Sequence, residues 1–189
     1  MAELIQPNTE RLQLRQWREA DKPALAVMNT DPRVMAFFPA LLTRGESDAG
    51  VDRNSTYIEE YGWGFWALEL KESGEFLGFV GIKPVPDDLP FAPAVEIGWR
   101  LAHPHWGKGY ATEAARASLA VAFERLQLAE VASFTALPNL RSQRVMERLG
   151  MQRDALVFAH RQVPAESPLS RHCLYRLTAK DWGQMVAAK

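Results

Sequence analysis

The sequence predicts one α/β domain, of the α+β kind, built on a mixed sheet, and three observations predict it. Phe65 to Lys71 and Phe76 to Lys83 are strand-like runs joined by Glu72-Ser73-Gly74-Glu75, a connection short enough to make them antiparallel neighbours. Residues 94 to 101 and Val131 to Leu137 are two more strands with a glycine turn and an amphipathic helix between them, a strand, helix, strand unit of the parallel kind. With 189 residues, 47% of them apolar, the chain can bury a substantial core as a single unit over 1–189 and is too apolar to be disordered.

The remaining elements follow in order. Leu12, Leu14 and Gln16 alternate with Gln13, Arg15 and Trp17, a first strand. Pro23 opens a helix in its first turn, where a missing N–H costs nothing. Asp31-Pro32 is expected to start a second short helical piece ending at Met35, Phe37, Phe38 and Pro39, whose aromatics either line a pocket or close the core. Val51, Ser55, Ile58 and Tyr61 have helical spacing, and Gly62 stops that helix. Gly78 and Gly81 inside the second hairpin strand signal a bulge or a close approach by another chain or ligand. Four prolines between Pro84 and Pro93 make a loop.

In the strand at 94 to 101, Val95, Ile97 and Trp99 share one face, with Glu96, Gly98 and Arg100 on the other. The helix after the glycine turn carries Ala111, Ala115, Leu119, Ala122, Phe123 and Leu126 as its apolar stripe. Asn139 stands at a helix N-cap, followed by Ser142, Val145, Met146 and Leu149 on one face and Gly150 as the stop. Strands near Gln152 to Gln162 and His172 to Thr178 flank a loop at Pro164 to Ser170, and a short helix finishes the chain.

Composition narrows the function. Lysine and arginine total 22 against 23 acidic residues, so no basic surface argues for nucleic acid. The single Cys173 cannot form an intrachain disulfide. Met1 to Gln16 has no apolar signal core, and no stretch approaches the roughly 18 apolar residues of a membrane span. The expectation is a cytoplasmic monomer or homodimer. His103-x-His105 encloses a proline and has no cysteine nearby, a poor ligand pair, so no metal is expected.

Trp106-Gly107-Lys108-Gly109-Tyr110-Ala111-Thr112-Glu113-Ala114 carries the chemical signal. A loop running into a helix offers several unpaired N–H groups, reinforced by the helix dipole, and anions bind there. Gly107 and Gly109 permit positive φ and close approach, and Lys108 adds charge. A Walker loop would need glycine where Ala102 stands, and a dinucleotide loop would need one at Thr112.

The order of strand, glycine turn, helix and strand, then Asn139-x-x-Ser142 and Glu147-Arg148-Leu149-Gly150-Met151, resembles the GNAT superfamily of acyl-CoA-dependent N-acetyltransferases. Its acetyl-CoA motif, [Q/R]-x-x-G-x-[G/A], maps onto Trp106 to Ala111, with Trp106 replacing Gln or Arg. The wording around it is similar to the RimJ/RimL-like branch, which acetylates N-termini of ribosomal proteins. The resemblance implies a mostly antiparallel sheet of about seven strands, splayed between the strands at 94–101 and 131–137, with helices on both faces. It implies acetyl-CoA, its pantetheine arm meeting the main chain of Ile97, Trp99 and Leu101 and its pyrophosphate meeting residues from about Gly107 to Thr112.

Acetyl transfer needs a neutral amine, a donor for the developing oxyanion and help for the leaving thiolate. Glu96 is the candidate base through water, with a surface carboxylate as its alternative. A main-chain N–H near Ile97 to Trp99 would serve the oxyanion. Where the superfamily often has Tyr as proton donor, this chain has Met146, so Ser142 is the candidate hydrogen bond to sulfur. Asn139 is an N-cap and, by family position, a cofactor contact. Phe37, Phe38, Trp63 and His172 are candidate acceptor contacts. The acceptor is an amine, a protein N-terminus or a small molecule, and a non-catalytic acyl-CoA-binding module is the rival reading.

Overall fold

Alternation in the first strand sets the sheet: Leu12 and Leu14 of β1 (Leu12–Arg15) are fully buried. The computed structural model describes residues 2–188. After β1 come α1 (Asp21–Asn29), α2 (Arg44–Tyr61), the strands β2 (Phe65–Leu70), β3 (Phe76–Pro84) and β4 (Val95–Leu101), and α3 (Tyr110–Ala120), which runs on into a π-helical turn at Val121–Arg125. The chain ends with β5 (Glu130–Ala136), α4 (Leu140–Arg148), β6 (Gln152–Ala159), β7 (Arg171–Thr178) and α5 (Ala179–Ala187). The strands form one sheet in the order β1-β2-β3-β4-β5-β7-β6. Every pairing is antiparallel except β4 with β5, and that one is a single bridge, Glu96 to Ala132.

A buried ion network fixes where α1 leaves the sheet. Arg15, 4% exposed, donates from Nη1 and Nη2 to Asp21 at 2.8 Å and from Nε to Glu69 at 2.7 Å. Two carboxylates around one guanidinium hold its pKa up against the burial that lowers it. Asp21 also accepts from the main-chain N–H of Arg18, so the charge that neutralises Arg15 also shapes the turn into α1.

The predicted helical piece at 31 to 39 is instead a run of turns. The Asp31 carboxylate takes both the N–H and the guanidinium of Arg33, a local bond that competes with helix continuation. The helix expected around Val51 to Tyr61 starts earlier, at Arg44. Thr43 accepts from the N–H of Glu46, and the Glu46 carboxylate accepts from the N–H of Thr43, a reciprocal capping box. The first strand stops two residues short of Trp17, and β6 ends at Ala159 rather than Gln162.

Both glycines of β3 are explained by neighbours. The register of β2 against β3 shifts between Leu68 and Glu69, opposite Gly78. A Cβ on Gly78, at φ +139°, would lie 2.1 Å from the Arg100 carbonyl oxygen, and one on Gly81 would lie 2.0 Å from that of Gly64. Those contacts are main chain against main chain and cannot yield by rotating a side chain. Gly78→Ala is therefore expected to lower stability by about 2 kcal/mol or more, lowering the melting temperature by roughly 4 to 8 °C, checked by thermal denaturation.

Candidate active site

The single bridge between β4 and β5 leaves a gap toward the C-terminal end of β4, and strand alternation decides what lines it. The N–H of Ile82 turns toward Gly64, on the β2 side, so Gly81 and Lys83 bond β4 through Gly98 and Glu96. Ile97, Trp99 and Leu101 consequently turn their main-chain groups toward β5. Two of the three carbonyls are engaged: Ser133 of β5 donates its hydroxyl to Ile97 at 2.9 Å, and the Trp106 indole donates to Leu101 at 2.8 Å. Trp99, paired with Val80 of β3 on its other side, turns its main-chain groups into the gap, where β5 offers it no pairing partner among the described residues.

At the far end of β4 a short 3-10 turn, His103–His105, leads into the glycine turn. Gly107 and Gly109 adopt φ of +75° and +82°, and Gly109 is the N-cap of α3 with no capping side chain. The first N–H groups of α3 are thus left for an anion. The carboxylate that would repel one, Glu113, is turned away. Arg11 holds it through Nε at 2.7 Å and Thr9 through its hydroxyl at 2.5 Å. Lys108 is exposed at the mouth, with Arg116 and Arg148 beside the same groove. The half-buried Trp106 ring supports the Arg141 guanidinium at 4.8 Å and packs on His103 at 4.9 Å.

Glu96 is half-buried on the opposite face of β4 from Ile97, and burial pushes its carboxyl up to about 7, against the smaller attraction of its cross-strand neighbour Lys83. Lys83, itself shifted down by burial, lies over the Tyr57 ring at 5.0 Å and forms no ion pair with Glu96 among the described residues. The Asn139 side chain accepts from the N–H of Ser142 at 3.3 Å, the predicted cap, and donates from Nδ2 to Ser142 Oγ at 3.1 Å and Thr135 Oγ1 at 2.9 Å. Ser142 accepts there, which leaves its own proton uncommitted. Met146 is 1% exposed in the core.

A family model described as an acetyltransferase (GNAT) domain matches residues 11–152. The chain belongs to the GNAT acetyltransferase family. It is 37% identical over 144 residues to the Bacillus subtilis (strain 168) protein YkkB, covering 76% of this chain and 83% of the relative. It is 33% identical over 128 residues to the FsC-acetyl coenzyme A-N(2)-transacetylase of Aspergillus fumigatus, covering 66% of this chain but 54% of that longer protein. An acetyltransferase structure from Agrobacterium tumefaciens str. C58 superposes with a TM-score of 0.75 at 30% identity, over 94% of this chain and 96% of the other.

The other predicted site residues are not brought together in one place. Phe38, 37% exposed, lies over the Arg100 guanidinium at 4.0 Å, and Phe37 is half-buried next to it in sequence. Trp63 is half-buried and packs edge-on against Tyr57 at 5.7 Å. His172, 8% exposed, sits in a separate aromatic cluster with Phe134, Phe158 and His160, and burial lowers its pKa. Sequence reasoning missed Ser133, Arg141 and Arg100. The first had a signal, since Ser133 and Thr135 are hydroxyls two apart on one face of an otherwise apolar strand.

The Glu96 carboxyl predicts a pH signature of folding. Its folded pKa of about 7 lies above the ordinary 4.5, so the native state binds the proton more tightly and its stability falls as pH rises from about 4.5 to 7. Glu96→Gln removes that loss. The variant is expected to gain on the order of 2 kcal/mol over wild type between pH 5 and pH 8, measured by urea unfolding at each pH.

Proposed function

We propose that this domain transfers an acetyl group from acetyl-CoA directly to an amine, without an acyl-enzyme. The observation that supports this best is the pairing of an uncapped helix start at Gly109 with a gap at Trp99. A phosphate-bearing end and a thioester end then have separate seats on one molecule. When bound, acetyl-CoA supplies the activated acyl carbon and a thiolate leaving group.

The chain's own groups divide the work. Main-chain N–H groups from Gly107 to Thr112 hold the pyrophosphate, with Lys108 and Arg141 adding positive charge. The Trp99 N–H would serve the carbonyl oxygen as it gains charge, and Ile97 and Leu101 would flank the arm, their carbonyls already fixed by Ser133 and Trp106. Glu96 accepts a proton from the attacking amine through water. Its pKa near 7 lies close to that of an α-ammonium at about 7.7 to 8.0, which makes the transfer nearly balanced, whereas a lysine at ~10.4 would be a poor match. Ser142, with its oxygen held by Asn139, donates to the departing sulfur. The RimJ/RimL-like wording of the motifs supports a protein N-terminal α-amine as acceptor, with small primary amines using the same machinery.

Cys173 is fully buried and its thiol is pushed up by burial, which argues against a nucleophilic role. Acetyl-CoA at a hundred times its dissociation constant is expected to add about 2.7 kcal/mol of stability, and an unchanged melting temperature would sink the proposal. In a thiol-release assay with N-terminal peptides and amines, Glu96→Gln should lower kcat/KM by about a hundredfold or more and abolish a pH limb near 7. Ser142→Ala should cost about 1 kcal/mol, roughly fivefold in kcat.

A further inference from the structure

Arg100 occupies the same face of β4 as Glu96, two positions beyond Gly98, and its guanidinium has no counterion among the described residues. No carboxylate acts on it, and burial alone pulls its pKa down to about 10. Nη1 donates to Asn29 Oδ1 at 2.8 Å, and that amide is fixed in turn because its Nδ2 donates to Ser47. Nε is buried with no partner, and Nη2 has no hydrogen bond among the described residues. Phe38 lies over the cation at 4.0 Å and Phe79 at 5.4 Å. Aromatic faces hold a guanidinium in plane but satisfy none of its N–H groups.

A buried, unpaired cation is costly, and elsewhere in this chain the buried Arg15 is paired with Asp21 and Glu69. With Nη1 taken and Nε enclosed, the open donor is Nη2, whose N–H groups can give a carboxylate oxygen a charge-assisted hydrogen bond. Gly98 lies between Arg100 and Glu96, and the Phe65 ring takes the space its side chain would fill, 3.3 Å from where a Cβ would lie, so an acceptor touching both groups has to pass over that ring. Four residues at about 3.3 Å each put the two Cα atoms about 13 Å apart. An acceptor with its nitrogen near Glu96 reaches Arg100 only through a body several bonds long.

We propose that Arg100 anchors a carboxylate on the acyl acceptor, set several bonds from the amine that is acetylated. This rests on the acetyl-transfer reading of the same cleft. The acceptor class is then a short peptide with a free α-amine and a carboxylate several bonds away, rather than a neutral alkylamine or an antibiotic polycation.

The test is calorimetric titration of the protein saturated with CoA, using matched probes: a dipeptide and a tripeptide, each with a free against an amidated C-terminus. In at least one pair the carboxylate member should bind at least tenfold tighter, a difference of about 1.4 kcal/mol. Arg100→Gln should erase that preference while leaving CoA affinity unchanged. If Arg100→Gln fails to fold, Asn29→Asp decides, because it gives Arg100 an internal counterion and should lower the preference with the arginine still present. Equal binding within every pair, no binding by any probe, or a preference that survives both variants overturns the proposal. Thiol release from acetyl-CoA with the same probes separates the two readings. Discrimination in binding without release would leave the Arg100 site standing and reject the transfer reaction, whereas release with no preference for a carboxylate would do the reverse.

Discussion

The sheet depends on how little β4 and β5 hold each other. A parallel pair joined at one bridge, Glu96 to Ala132, is a break in a ladder that is otherwise continuous across seven strands. The break persists because other contacts span it. Ser133 reaches across to the Ile97 carbonyl, and α3 packs on β1, β3 and β4 while α4 packs on β5. Each half-sheet is antiparallel and self-sufficient, β1 to β4 on one side and β5, β7 and β6 on the other. Main-chain groups at the break can therefore be left for a ligand without unravelling either half.

Much of this was readable from the sequence where the signal was local. The hairpin β2 to β3, the unit from β4 to β5 and the Asn139 cap all follow from periodicity, turn residues and side-chain oxygens within a few positions. Thr43-x-x-Glu46 is an equally local signal for the start of α2, and a reading of apolar spacing alone, which begins at Val51, passes over it. The expected helix at 31 to 39 failed for a local reason too, because a carboxylate two residues before an arginine offers the backbone another partner.

The site was legible where a glycine pattern or a charged residue on a strand face announced it, and silent where it depended on distant partners. Nothing near Arg100 in sequence shows that Asn29, 71 residues earlier, takes one of its N–H groups, or that Phe38 covers it. Trp106 likewise looked like a departure from a motif. Its indole is consumed in a bond to Leu101, and the Arg141 guanidinium rests on its ring. The carboxyl of Glu96 could be named from its strand, but its elevated pKa required knowing how deeply the strand is covered.

The bond from Trp106 to the Leu101 carbonyl also has a metric consequence. It ties the glycine turn to the last residue of β4, so the proposed phosphate seat and the gap at Trp99 are held to each other by a bond as well as by the chain, across a set length of strand and turn. On the proposed reading that piece works as a ruler. A thioester too short to lie along it can occupy one end or the other, and only a donor whose arm matches the interval is held at both.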